Sequence, residues 1–335
     1  MKSIVIFNNK GGVGKTTLLC NLSAFLQLER SKKILIIDAD PQCNATAYLF
    51  PYPQVESIYD KNEGTIYDII KPVQRGKGYL KTKLPIIKSP NFKVDVIPGD
   101  PKLSLAEDFL GKDWIEGKSG EYRGLQTSLV FKDLLGKLSD YDYVIIDVGP
   151  SLGALNRSVL IACDYFLVPM SSDIFSLRAI ENISLALKEW KEGLESGLSE
   201  YKRKDSEDFK ISEMKVQWDL QFIGYITQQY TAKTVDGKKI PVNAYEKIIK
   251  KIPSTIKKEL SVFNSKNDTD SFKLGEIPSL HSLVPLSQNA NTPIFCLQAK
   301  DGVVGAHFNK VREYGEVIRA ISDNLQQNIE LSDND

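Results

Sequence analysis

Apolar residues along this chain come in short runs, and between the runs they return at the three- and four-residue spacing of a helix face. The runs predict strands near 3–8, 33–38, 93–98, 143–147, 164–169, 221–227 and 280–284. The helical spacing predicts helices near 15–29, 65–71, 103–110, 125–138, 153–162, 176–193, 243–251 and 304–327. Strand and helix alternate, which argues for an α/β fold around a largely parallel sheet. Four stretches break the rhythm: 51–63 is rich in Pro and Tyr, 111–123 in Gly and Lys, 195–215 in charge, and 262–275 in Asn, Ser, Asp and Lys. Patterned sequence continues on both sides of each, so they read as surface loops on one domain spanning 1–335, with an acidic tail at about 328–335. No internal repeat is present.

Between the first strand and the first helix lies Lys10-Gly11-Gly12-Val13-Gly14-Lys15-Thr16-Thr17. Strand, glycine loop and helix form the setting of a phosphate-binding loop. Glycines let consecutive N–H groups curve around a polyphosphate, and the helix N-terminus adds about half a positive charge. Lys15 is placed to reach β- and γ-phosphate oxygens, and the Thr16 hydroxyl to ligate Mg²⁺. The loop is irregular: the ordinary pattern has Gly five positions before Gly14, where this chain has Asn9, followed by a second lysine, Lys10. A lysine there lies on the flank of the phosphates and suits a nucleotide held by another copy of the chain. A solvated loop lysine is the plainer alternative.

With these residues in view, the chain resembles the deviant-Walker ATPases typified by ParA, Soj and MinD. The strand Ile34-Leu35-Ile36-Ile37 running into Asp38-Ala39-Asp40-Pro41-Gln42-Cys43-Asn44 is similar to that family's second motif, and Tyr143 through Gly153 to its Walker B segment. Phe166-Leu167-Val168-Pro169-Met170 looks like the next strand. Weaker landmarks at Gly64–Ile70, Val96–Gly99, Ile277-Pro278 and Gly305-Ala306-His307 carry the likeness to about residue 325. The resemblance implies a P-loop NTPase whose mostly parallel, twisted central sheet has helices on both faces. It implies an ATP hydrolase using ATP and Mg²⁺, with Lys10, Lys15, Asp40 and Asp147 as catalytic residues. Nucleotide would contact Lys10, Gly11, Gly12, Val13, Gly14, Lys15, Thr16 and Thr17, with Pro278 near the base. Thr16, Asp38 and Asp147 would hold the metal, directly or through its waters, and Asp40 would orient the attacking water. Taken alone, Asp38 or Asp40 also suits a helix N-cap, and Asp147 a turn carboxylate. The family further implies a dimer enclosing two ATP molecules, each Lys10 reaching the partner's nucleotide, reset by slow hydrolysis. Two departures stand out: Asn8-Asn9 where many relatives have Asn-Gln, and Asp147-Val148-Gly149-Pro150 where many have Asp-x-Pro-Pro. Glycine at 149 frees a backbone that proline would stiffen.

Composition narrows the targets. Lys plus Arg equals Asp plus Glu at 43 each, so no global charge points to nucleic acid or membrane. Cys20, Cys43, Cys163 and Cys296 show no paired spacing, which argues against a disulfide framework or the family's iron–sulfur members. No export segment or long apolar run is seen, and no helix-turn-helix precedes the first strand. The C-terminal stretch, with Glu316, Asp323, Glu330, Asp333 and Asp335 against Arg312 and Arg319, is unlike the basic membrane helix of MinD. A soluble, cytoplasmic protein is expected. DNA-binding relatives use basic patches; here Lys233, Lys238, Lys247, Lys250 and Lys251 form the candidate patch, the last three on one helical face. A solvated lysine-rich helix fits equally, and Ser279-Leu280-His281-Ser282 stands where relatives carry basic residues. The leading expectation is a partition or positioning ATPase, nucleoid-associated, that binds DNA non-specifically as an ATP homodimer and is stimulated by an adaptor protein. The second is a regulatory switch acting on a protein partner without DNA. A third, phosphorylation of a small carboxylate, fits Lys10 and the Asp38-x-Asp40-Pro41-Gln42 segment less well.

Overall fold

In the computed structural model, residues 1–61, 64–171, 173–228, 234–235, 238–239, 242–264, 272–280 and 282–333 are described. β1 (Lys2–Ile6) leads through the glycine loop into α1 (Lys15–Glu29), and β2 (Ile34–Asp38) into α2 (Asn44–Leu49) and α3 (Tyr52–Asp60). Next come α4 (Ile66–Gln74), β3 (Ile87–Lys88), β4 (Asp95–Ile97), α5 (Ala106–Lys118), α6 (Tyr122–Ser128) and α7 (Val130–Gly136). β5 (Tyr143–Asp147), α8 (Ala154–Leu160), β6 (Tyr165–Ser171) and α9 (Ile174–Asp205) follow, then a small ribbon of β7 (Lys210–Ile211) and β8 (Met214–Lys215). After β9 (Gln221–Gln228) come β10 (Thr234–Val235), β11 (Lys238–Lys239), α10 (Val242–Leu260), β12 (Lys273–Ile277), α11 (Leu283–Ala290) and α12 (His307–Asp333).

Eight of the described strands form one sheet in the order β12-β9-β6-β1-β5-β2-β4-β3. Neighbours run parallel except β3 and β4. Side chains alternate across the pleat, so each strand feeds two cores. On one face Val5, Leu35, Ile37, Val144 and Ile146 pack under α4 to α9. On the other, Ile4, Ile6, Ile34, Ile36 and Ile145 pack under α1, α11 and α12. Burying each such side chain contributes about 1.5–3 kcal/mol, and continuous apolar strands gain this on both faces. The expected fold class stands. α12 ends beside the first strand, where Asp333 accepts a hydrogen bond from Tyr165 Oη at 2.9 Å and pairs with Lys2. Among the described residues no helix is long and apolar enough to cross a membrane.

Several local expectations are corrected. Among the described residues no strand lies at 280–284: Leu283–Ala290 is helical, with Leu283 buried and Leu280, Val284 and Leu286 packed against the core. The last strand among the described residues is Lys273–Ile277, where Leu274 and Ile277 are buried on either side of Gly275-Glu276 and a register irregularity breaks the alternation. Most of 111–123 is not a loop: 111–118 complete α5 and 122–123 begin α6, with only a turn at 119–121 between them. Gly117 is a crossing point, since a Cβ on Gly124 would lie 2.2 Å from Gly117 N and one on Gly197 2.3 Å from Gly117 O. Residues 52–60 form α3, with Ile58 buried, and the charged stretch from 195 continues α9 to Asp205. The span 125–138 divides at Leu129 into α6 and α7. α10 runs on to Leu260. The acidic tail is helical as far as Asp333, with Ile329 buried. Residues 265–271 and 334–335 lie outside the described residues.

Candidate active site at the carboxyl ends of the strands

Parallel pairing brings three chain segments to one edge. Asp147 is in register with Ile6 on one side and with Asp38 on the other, so the loops after β1, β2 and β5 emerge together. Gly12 and Gly14 adopt left-handed φ of 72° and 71°, which turns the loop into α1. Gln228 at the end of β9 braces it, donating from Nε2 to Val13 O at 2.8 Å. No side chain caps α1, and its first turn faces a cavity of about 500 Å³ lined by Gly11 to Thr17, Asp40, Gln42, Asn44 and Pro150. Helix N–H groups and a lysine around such a space suit a polyphosphate. Lys15 is buried and donates to Asn8 O at 3.1 Å and Lys10 O at 3.3 Å. Burial lowers its pKa, against the pull of Asp147 and Asp40.

Three aspartates lie at this edge in different surroundings. Asp147 and Asp38 are both 0% exposed. Thr16 Oγ1 donates to Asp147 Oδ2 at 2.8 Å, while Asp147 Oδ1 is buried with no hydrogen-bond partner. Burial, then the neighbouring Asp38, hold the Asp147 carboxyl well above the usual carboxylate range. Asp38 is turned toward α2: Oδ2 accepts from Thr46 N at 2.8 Å and Thr46 Oγ1 at 2.6 Å, and Oδ1 from Asp40 N at 3.3 Å. Burial pushes it up to about 6, opposed by the Thr46 bonds. Asp40 lines the cavity, its Oδ1 accepting from Gln42 N at 3.0 Å. Among the described residues no three His, Cys, Asp or Glu side chains converge to cage a metal. A hydroxyl and an unsatisfied carboxylate oxygen beside a phosphate cradle do fit Mg²⁺, which keeps waters and phosphate oxygens as most of its ligands.

Lys10 leaves this cavity. Its Nζ donates to Ser171 Oγ at 2.8 Å and pairs with Asp173, which also accepts from Phe175 N (2.9 Å) and Ser176 N (3.2 Å) as the N-cap of α9. Pro278 lines an adjoining cavity of about 400 Å³ with Ile277, Leu280 and Tyr314; the two cavities share Gly12, Gly14 and Thr17. Of the candidate DNA residues, Lys250 and Lys251 are exposed on α10, whose opposite side buries Ile252, Ile256 and Leu260. Lys233 and the side chains of Lys238 and Lys247 lie outside the described residues. Sequence reasoning missed Thr46, Ser171, Asp173 and Gln228, which reach the site from other elements. Only Thr46 had a signal, its place at the end of the Asp38 motif.

A family model described as an AAA domain matches residues 1–199. The chromosome partitioning protein ParA of Myxococcus xanthus is 33% identical over 200 residues, covering 58% of this chain and 61% of that protein. The chromosome-partitioning ATPase Soj of Treponema pallidum is 31% identical over 199 residues, 59% of this chain and 68% of that one. Matches of this kind thus span about two thirds of the curated relatives' length. A solved structure of a Corynebacterium diphtheriae protein superposes with a TM-score of 0.70 at 30% identity, covering 87% of this chain and 97% of the other.

Proposed function

Because the chain belongs to the AAA-domain family of ParA- and Soj-type P-loop ATPases, we propose that it is an ATP-driven switch: ATP and Mg²⁺ bind in the glycine-loop cavity, two copies close over two nucleotides, and slow hydrolysis reopens them. One observation carries the reading: Lys15, Thr16 and Asp40 line one polyphosphate-sized cavity, the buried Asp147 is hydrogen-bonded to Thr16, and Lys10 points away. The α1 N-terminus and Lys15 hold the phosphates. Mg²⁺, held by Thr16 and Asp147 directly or through water, would neutralise charge on the β- and γ-phosphates. Asp38 keeps the loop bearing Asp40 in place through Thr46, and Asp40 orients the attacking water. Such hydrolysis needs positioning more than covalent help from the protein. Pro278 and its apolar neighbours take the base.

Lys10 serves the partner's nucleotide. Its side chain is about a quarter exposed, and the adjacent α9 start presents Phe175 at 70% exposure, an apolar residue suited to cover by a second copy. As a dimer the protein binds DNA non-specifically through α10, and an adaptor stimulates turnover. A protein target is the second reading. It is favoured by the absence of lysine or arginine in Ser279-Leu280-His281-Ser282 and by the pairing of Lys258 with Glu259.

The test is solution mass with and without ATP and Mg²⁺, for the native chain and Lys10→Ala. The native protein is expected to go from monomer to dimer, and the variant to bind ATP but stay monomeric. A mass indifferent to ATP and to Lys10 would refute the switch.

A further inference from the structure

Beyond Asp147, the segment Val148–Gly153 runs past the phosphate cavity, to which Pro150 contributes a wall. Its sequence has glycine at 149, where a second proline would have stiffened it. Yet this loop is held from three sides. The buried Asn156 amide donates to Gly149 O at 2.7 Å and Ser151 O at 2.8 Å. Asp40 packs against the other side, so close that a Cβ on Gly149 would lie 3.2 Å from Asp40 Oδ1. The third hold comes from α5, about forty positions earlier in the chain. Glu107 Oε1 accepts from Ala154 N at 2.5 Å, and Oε2 from Leu155 N at 2.9 Å.

Glu107 fits there only because residue 153 is glycine: a Cβ on Gly153 would stand 1.9 Å from Oε1. A second link joins the same two helices. The Arg157 guanidinium of α8 lies 4.6 Å over the Trp114 ring of α5 and donates to Leu110 O at 3.3 Å. The first turn of α8, which immediately follows the loop, is therefore fixed by side chains of α5. A carboxylate accepting two backbone N–H groups makes strong, directional bonds.

We propose that Glu107 is a positioning residue for ATP hydrolysis: by fixing the first turn of α8 it fixes the Gly149–Ser151 loop, and with it the carboxylate of Asp40. In this chain, side chains supply the stiffness that proline would give. The proposal rests on the reading of the cavity as an ATPase site. Misplacing a group by about an ångström costs up to about a hundredfold in rate, so the effect belongs in kcat, while the phosphate cradle of Lys15 and α1 is untouched.

The experiment compares native protein, Glu107→Gln and Glu107→Ala in steady-state ATPase kinetics, nucleotide affinity, Tm and backbone hydrogen exchange. Alanine is expected to lower kcat by about ten- to a hundredfold with nucleotide affinity unchanged, and to speed exchange at 148–155 but not at 10–17. Glutamine, which keeps the shape and one acceptor, restores part of both, and carries the test should alanine not fold. If the native chain hydrolyses ATP and both variants match its kcat, this proposal alone is overturned and Glu107 is a helix cap that moves only Tm. If the native chain binds ATP without hydrolysing it, the reading of the site falls and takes this proposal with it.

Discussion

Asp38 and Asp147 are two acids sealed side by side, and they surrender their protons reluctantly. In the unfolded chain an aspartate titrates near 3.8, while in the fold burial raises Asp38 to about 6 and Asp147 in the same direction. The folded chain therefore binds extra protons between these values. Stability from this source is fully present in acid and is lost as pH rises through about 6. A divalent cation reverses the preference, because it needs the ionised oxygens. Affinity for ATP with Mg²⁺ is thus expected to strengthen as pH rises above the usual carboxylate range, because burial raises Asp147, and Asp147→Asn to flatten that dependence. Calorimetric titration across pH would read this, and a flat native profile would refute it. At this scale the sequence was legible where function fixes local spacing: the glycine loop, Lys15, Thr16 and the two strand-end aspartates all lie where their motifs put them. Their supports were less legible: Thr46 stood at the end of the Asp38 motif, but Asn156, Glu107 and Asp173 act through distances that only the folded chain sets.

Helices α5, α6 and α9 show why the glycine-rich stretch at 111–123 was misread. Glycine ordinarily punctuates, so Gly111, Gly117 and Gly120 suggested a loop. In the fold, Gly117, Gly124 and Gly197 let three helices cross with backbones in contact. A methyl group at Gly124 has nowhere to go. Gly124→Ala is expected to cost about 1–3 kcal/mol, read as a lower denaturant midpoint at constant m-value. Gly136→Ala is the control: a Cβ there meets nothing within 4 Å, so it should be neutral or raise stability by about 0.5–1 kcal/mol. Equal loss at both sites would mean that the helices do not meet as described. The missed strand β12 has a different cause, since Gly275-Glu276 and an irregular register leave too few alternating positions to read.

For the whole molecule, alternation of strand and helix was enough to foretell a largely parallel sheet, and the family resemblance added helices on both faces, where each apolar strand is covered twice. It could not foretell strand order or the antiparallel edge at β3, which depend on pairings between distant segments. Nor does it decide what the protein acts upon. If the α10 surface binds nucleic acid, DNA should be retained only with ATP, with an affinity that falls steeply with salt, and Lys250→Glu combined with Lys251→Glu should make that slope shallower. No retention at low salt would select the protein-target reading. The meeting of Asp333 with Lys2 and Tyr165 has a consequence for engineering. Residues 2 and 333 lie side by side at the end of β1 remote from the glycine loop, so a short peptide could join them and close the backbone into a ring. The ring could then be cut at an exposed turn to give a permuted chain with its cavity intact. Labels attached at residues 2 and 333 would sit together, remote from the glycine loop.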